Sequence, residues 1–133
     1  MGSAFERSMS REQVNTVSAL GLAHVGDGVY ELLVRARLCE RGERNIGMLH
    51  RDTVAAVNAA AQARAAEKLL PLLTEEEFDV FRRARNTKVH GVPAHASVGD
   101  YHAATGLEAL FGWLYLLGRT ERIEELFEAA AEE

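Results

Sequence analysis

Along the chain, long stretches in which apolar residues recur every three or four positions are separated by short polar breaks, and strand-type alternation is missing. The first stretch predicts a helix from about Val17 to Glu40, with Leu22, Val25, Val29, Leu32 and Leu33 on one broad stripe. Gly42, in "CERGERN", closes it. "LHRDTVAAVNAAAQARAAEKLL" predicts a second helix, which Pro71 stops. Thr74 followed by Glu77 has capping-box spacing and opens a third helix through "FDVFRRARN". "TKVHGVPAHAS" reads as a loop. The most apolar segment, "VGDYHAATGLEALFGWLYLLG", predicts a fourth helix ended by Gly118, and "RTERIEELFEAAAEE" a short acidic fifth. The pattern predicts an all-α fold of about five main helices. Residues 1–14, opening on the polar, nonperiodic "MGSAFERSMS", read as a flexible tail or in part a cloning remnant, and residues 15–133 as one folded domain.

Composition narrows this picture little. With 133 residues, 47% hydrophobic and 26% charged, the chain has the makeup of a soluble domain that buries a core without disulfide or metal staples. Its single cysteine, Cys39, has no internal partner, which agrees with a reducing, cytoplasmic setting. No apolar run has the length of a membrane span, and no signal peptide is visible. A net charge of -5 argues against a nonspecific coat for nucleic acid, while leaving room for basic residues gathered on one face. Two-histidine zinc spacing, a phosphate-loop glycine pattern, a dinucleotide fingerprint and a Ser-His-Asp order are all missing.

Three constellations can carry chemistry. In "LAHVGDGVYE", residues 22–31, Asp27 stands between Gly26 and Gly28 with Glu31 one turn on. Each glycine costs a helix interior roughly 1 kcal/mol relative to alanine, so close approach by a second helix, a metal or a substrate is the expected return. Glu108 is a lone acid in the most hydrophobic helix, again near glycines, Gly106 and Gly112. A carboxylate buried alone is costly, and a divalent cation shared with Asp27 satisfies both acids at once. Capping, pairing with an arginine, or simple exposure are the other readings of these acids. The third constellation is "FRRARNTKVHG", where Arg82, Arg83, Arg85, Lys88 and His90 gather positive charge at a helix end. Such cations suit a helix C-terminus through the dipole, and equally suit phosphate contacts. Asn86 and Thr87 add neutral groups for phosphate or 2′-hydroxyl. His50, Arg51, Asn58 and Gln62 read as a solvated polar face, His24 and His102 as satisfied or partly exposed histidines, and Tyr101, Trp113 and Tyr115 as core.

Taken in order, these segments resemble the ribonuclease III family. "LAHVGDGVYELLVR" resembles its signature helix, and "GLEALFGWLYLLG" its second acidic helix. "RARNTKVHGVP" and "LHRDTVAAVNAAAQA", with no appended domain, resemble the Mini-ribonuclease III branch; the similarity spans roughly residues 15–127. The resemblance implies a homodimeric all-helical endonuclease that cuts double-stranded RNA with Mg²⁺, Mn²⁺ serving as a substitute. It makes Asp27 and Glu108 the catalytic, metal-ligating acids. It gives the RNA contacts to Arg82, Arg85, Asn86, Thr87, Lys88 and His90 of the catalytic domain itself, residues 15–133, without a double-stranded-RNA-binding domain. Larger members place further acids where this chain has Ala23 and Thr105, which leaves the number of metals open. The branch implies maturation of large-subunit (23S) ribosomal RNA precursor in the cytoplasm, with no membrane partner. Two rivals from other classes remain: an all-α Mg²⁺-dependent nucleotide hydrolase, which also uses helix-borne carboxylates but usually a denser set than Asp27 and Glu108, and a noncatalytic helical RNA-binding or interaction protein, to which the missing acids at Ala23 and Thr105 point.

Overall fold

Helix starts are set locally. Ser10, Ser18, Asn45, Asn58, Thr74 and Ser97 each sit extended ahead of a helix and accept the backbone N–H three residues on. The structure, a computed structural model, describes residues 4–87 and 97–131. These residues form α1 (Arg11–Val14), α2 (Ala19–Glu40), α3 (Ile46–Val57), α4 (Ala59–Leu69), α5 (Glu75–Arg85), α6 (Val98–Leu116) and α7 (Thr120–Ala131), with a 3₁₀ turn at Leu70–Leu72. No strand occurs among the described residues. Gly42 and Gly118 take φ of 102° and 81° after α2 and α6, the left-handed turn that releases a chain from a helix.

The single helix expected across residues 49–70 is two helices. Asn58 adopts ψ 163°, ends α3 through its N–H to Val54, and accepts the Ala61 N–H at 2.9 Å on its side chain. A short amide that bonds to nearby backbone competes with helix continuation, so the alanine-rich run breaks where its one asparagine stands. Pro71 falls within the 3₁₀ turn that follows α4.

α6 is the central helix, with α2, α4 and α5 packed around it and α7 alongside. Leu107, Leu110, Phe111 and Leu114 are at most 1% exposed. Each such side chain contributes about 1.5–3 kcal/mol by leaving water. The Tyr30 ring stands edge-on to Phe111 and Phe127, with centroids 5.2 and 5.5 Å away. Ahead of α2, Val14 is buried, and the Met9 N–H donates to the Leu116 carbonyl at 2.9 Å.

On α2 the buried side is Leu22, Ala23, Gly26, Tyr30 and Val34. Of the expected stripe, only Leu22 lies on it. Val25, Val29 and Leu33 are half-buried and Leu32 is exposed; with Phe5, Tyr115 and Ile123 they line an apolar groove of about 320 Å³. α2 thus has two apolar faces, one meeting α6 and one meeting solvent in the single chain. No described helix is long and apolar enough to cross a membrane.

Candidate active site

The site begins where α2 and α6 touch backbone to backbone. A Cβ on Gly26 would lie 1.5 Å from the Glu108 carbonyl oxygen, and one on Gly112 would lie 2.0 Å from the Leu22 carbonyl oxygen. No side chain fits at either position, so the glycines set the distance between the helices. Gly28, by contrast, has nothing within 4 Å of its Cβ direction and borders the apolar groove. Close approach by a second helix is therefore found at Gly26, while Gly28 faces open space on the single chain.

This crossing brings the two sequence-selected acids together. Asp27, one residue beyond Gly26, is exposed, and Glu108 is half-buried beside it. Burial first, then the charge and hydrogen bonding of Asp27, push the Glu108 carboxyl up to about 8; the Gln62 amide opposes this and Glu31 adds to it. Among the described residues neither Asp27 nor Glu108 forms an ion pair with a lysine, arginine or histidine. Glu31, the nearby third acid, is held by Arg35 at 2.7 Å. Two adjacent carboxyls without a countercharge are the donor set that suits a hard divalent cation, which takes one or two carboxylates and keeps waters for substrate oxygens. Where larger family members carry additional acids, Ala23 is a buried methyl and Thr105 turns its hydroxyl onto the Tyr101 carbonyl at 3.0 Å.

Gln62 departs from the solvated face expected for it. It is 2% exposed and reaches Glu108 from α4. The sequence did hold a signal: Gln62, Ala65, Ala66 and Leu69 fall at helical spacing and form the buried side of α4. Asn58 is a helix cap, while His50, Arg51 and His24 are exposed as expected. Trp113 is core, Tyr115 and Tyr101 are half-buried, and Cys39 is free and exposed.

The basic end of α5 is built partly as a cap. Arg82 and Arg83 share Asp79 at 2.6 and 3.1 Å. Arg85 lies 5.4 Å over the Phe81 ring and donates to Asn86, the C-cap residue, at 3.3 Å. The Thr87 hydroxyl donates to the Arg83 carbonyl at 2.7 Å. Arg82, Arg83 and Asn86 remain exposed, and Arg85 and Thr87 half-exposed. Lys88 and His90 lie outside the described residues.

Residues 20–119 match the family model described as the ribonuclease III domain. The chain is 50% identical over 117 residues to Mini-ribonuclease 3 of Symbiobacterium thermophilum, covering 88% of this chain and 90% of that one. It is 40% identical over 124 residues to Mini-ribonuclease 3 of a Thermoanaerobacter species, covering 93% and 87%. A crystal structure of a Fusobacterium nucleatum protein superposes with a TM-score of 0.79 at 34% identity, covering 87% of this chain and 93% of the other. The chain is an endoribonuclease that belongs to the ribonuclease III family, in its Mini-ribonuclease III branch.

Proposed function

We propose that this enzyme cleaves double-stranded RNA as a homodimer, with Asp27 and Glu108 of each chain holding a divalent cation, Mg²⁺ or in its place Mn²⁺. One observation carries the reading: the glycine-lined crossing of α2 and α6 sets two carboxyls side by side with no countercharge among the described residues. When bound, the cation supplies charge stabilisation at the scissile phosphate and an activated water. The chain's own part is to fix the two acids on rigid helices, to keep Glu108 half-sheltered from solvent, and to leave Asp27 open to substrate. The exposed face of α5, through Arg82, Arg85, Asn86 and Thr87 and on to Lys88 and His90, supplies contacts to the phosphate backbone. Residues 15–133 act as the catalytic domain. Branch membership supports precursor large-subunit ribosomal RNA, in the cytoplasm, as the natural duplex.

A long RNA duplex incubated with the enzyme, with and without Mg²⁺, tests the reading. Cleavage only with Mg²⁺, sparing single strands and free nucleotides, is the expected result. Hydrolysis of free nucleotides in preference to duplex overturns it. A second incubation with a 23S precursor stem separates the natural target from duplex RNA in general: discrete cuts within the stem support it, and indifference to the stem removes it.

A further inference from the structure

We propose that Gln62 is a positioning residue of the site, its side-chain amide holding the Glu108 carboxylate in the place it shares with Asp27. This rests on the reading of Asp27 and Glu108 as the cation site and adds a residue to it from a third helix.

The break at Asn58 starts α4 afresh, and Gln62 arrives four residues later on the stripe that Ala65, Ala66 and Leu69 bury. At 2% exposure, an amide on an alanine and leucine face is a destabilising choice unless it is paired. For packing alone, leucine or methionine fills such a place at lower cost. Gln62 lies on the buried side of α4, which packs against α6, the helix of Glu108, and its amide is close enough to Glu108 to favour the charged carboxylate. The chemistry of the group matters as well. Lysine or arginine at this position would neutralise Glu108 and compete with a cation. A neutral donor steers the carboxyl group and leaves both acids to the metal. Carboxylates that ligate metals are held in this way by neighbouring hydrogen-bond donors, and loss of such a neighbour weakens metal binding by about 10–100-fold.

The test measures Mn²⁺ binding by titration calorimetry on the intact chain, for wild type, D27N and Gln62→Met, with thermal melting to follow the fold. Methionine keeps the length and helix preference of glutamine and removes the amide. The expected result is a melting temperature unchanged or higher, with Mn²⁺ affinity weakened by about tenfold or more. A Mn²⁺ isotherm for Q62M that superposes on wild type overturns the proposal while leaving the Asp27–Glu108 site standing. Wild-type Mn²⁺ binding that D27N does not weaken overturns that site and this proposal together. If Q62M does not fold, the side-chain amide signals of Gln62 in the wild-type ¹⁵N–¹H spectrum decide. A shift on Mg²⁺ titration that is absent in D27N supports the assignment, and signals that stay fixed overturn it.

Discussion

At the scale of single residues, the protein contains two carboxylate arrangements with opposite logic. Glu77 is buried and paired. Burial alone pushes its carboxyl up, but Arg122, at 2.8–2.9 Å, and the Thr74 cap together outweigh that and hold it below its ordinary value of 4.5. Its pairing therefore stabilises the fold above about pH 4.5 and is lost as pH falls through the lowered value. Arg122→Met leaves Glu77 buried without its guanidinium partner, and urea titration at pH 7 should read a loss of about 3 kcal/mol. The same variant should lose less stability than wild type between pH 5 and 3; an equal acid slope in both sinks the assignment. Asp27 and Glu108 are the reverse case, adjacent acids with no cationic side chain against them among the described residues. D27N and E108Q each take one carboxyl out of a pair that is costly to ionise together, so melting temperatures should hold or rise while duplex cleavage falls by at least about 10²–10³-fold. Wild-type turnover by either variant at saturating Mg²⁺ removes the site. Both acids stood out in the sequence because each is a charge in an apolar helix. Gln62 did not, because an amide after three alanines looks like any solvated residue until the phase of its helix is known. That phase depends on the turn at Asn58.

At the scale of elements, most helix ends were legible because caps, glycines and apolar spacing act locally: Thr74 and Glu77 form their capping box, and Gly42 and Gly118 turn left-handed, while the break at Asn58 and the short α1 were missed. The face that each helix buries was less so. α2 carries apolar residues around much of its circumference, and sequence spacing cannot say which side meets α6; the glycines decide it, since only Gly26 against Gly112 permits so close an approach. Gly26→Ala should therefore be severe, costing about 3 kcal/mol in a denaturant titration. It should also separate Asp27 from Glu108 and depress cleavage beyond what the stability loss explains. Near-native stability and activity in this variant would show that the crossing has slack. For α5, the ion pairs that Asp79 makes with Arg82 and Arg83 temper the basic end. Replacing Arg82, Arg85 and Lys88 by alanine should weaken duplex binding and lower its salt slope, because fewer counterions are released. Asp79→Asn should tighten binding by freeing the arginines. An unchanged salt slope in the triple variant assigns these residues to capping alone.

At the scale of the whole molecule, one proposed Asp27–Glu108 site would face one phosphodiester at a time, whereas a duplex has two strands related by an approximate two-fold axis. A homodimer, the commonest symmetric assembly, places a second site across that axis. The single chain offers the surface for it. Val25, Val29, Leu32 and Leu33 on α2 continue into Phe5, Tyr115 and Ile123 as one apolar groove, with Leu32 48% and Phe5 60% exposed. Contiguous apolar surface of this kind marks an interaction site more often than bare solvent contact. The groove lies on the flank of α2 away from Asp27, so pairing through it leaves the acids open to RNA. Leu32→Glu decides the matter, because an exposed position tolerates the charge in an isolated chain while a face shared by two copies does not. Sedimentation equilibrium at micromolar concentration should show a wild-type dimer and a folded L32E monomer. On long duplex RNA, the wild type should release short fragments with both strands cut and short 3′ overhangs, whereas the L32E monomer should nick one strand at a time and at a lower rate. A wild-type monomer that still cuts both strands efficiently would sink the two-site model, and the groove would then need another occupant.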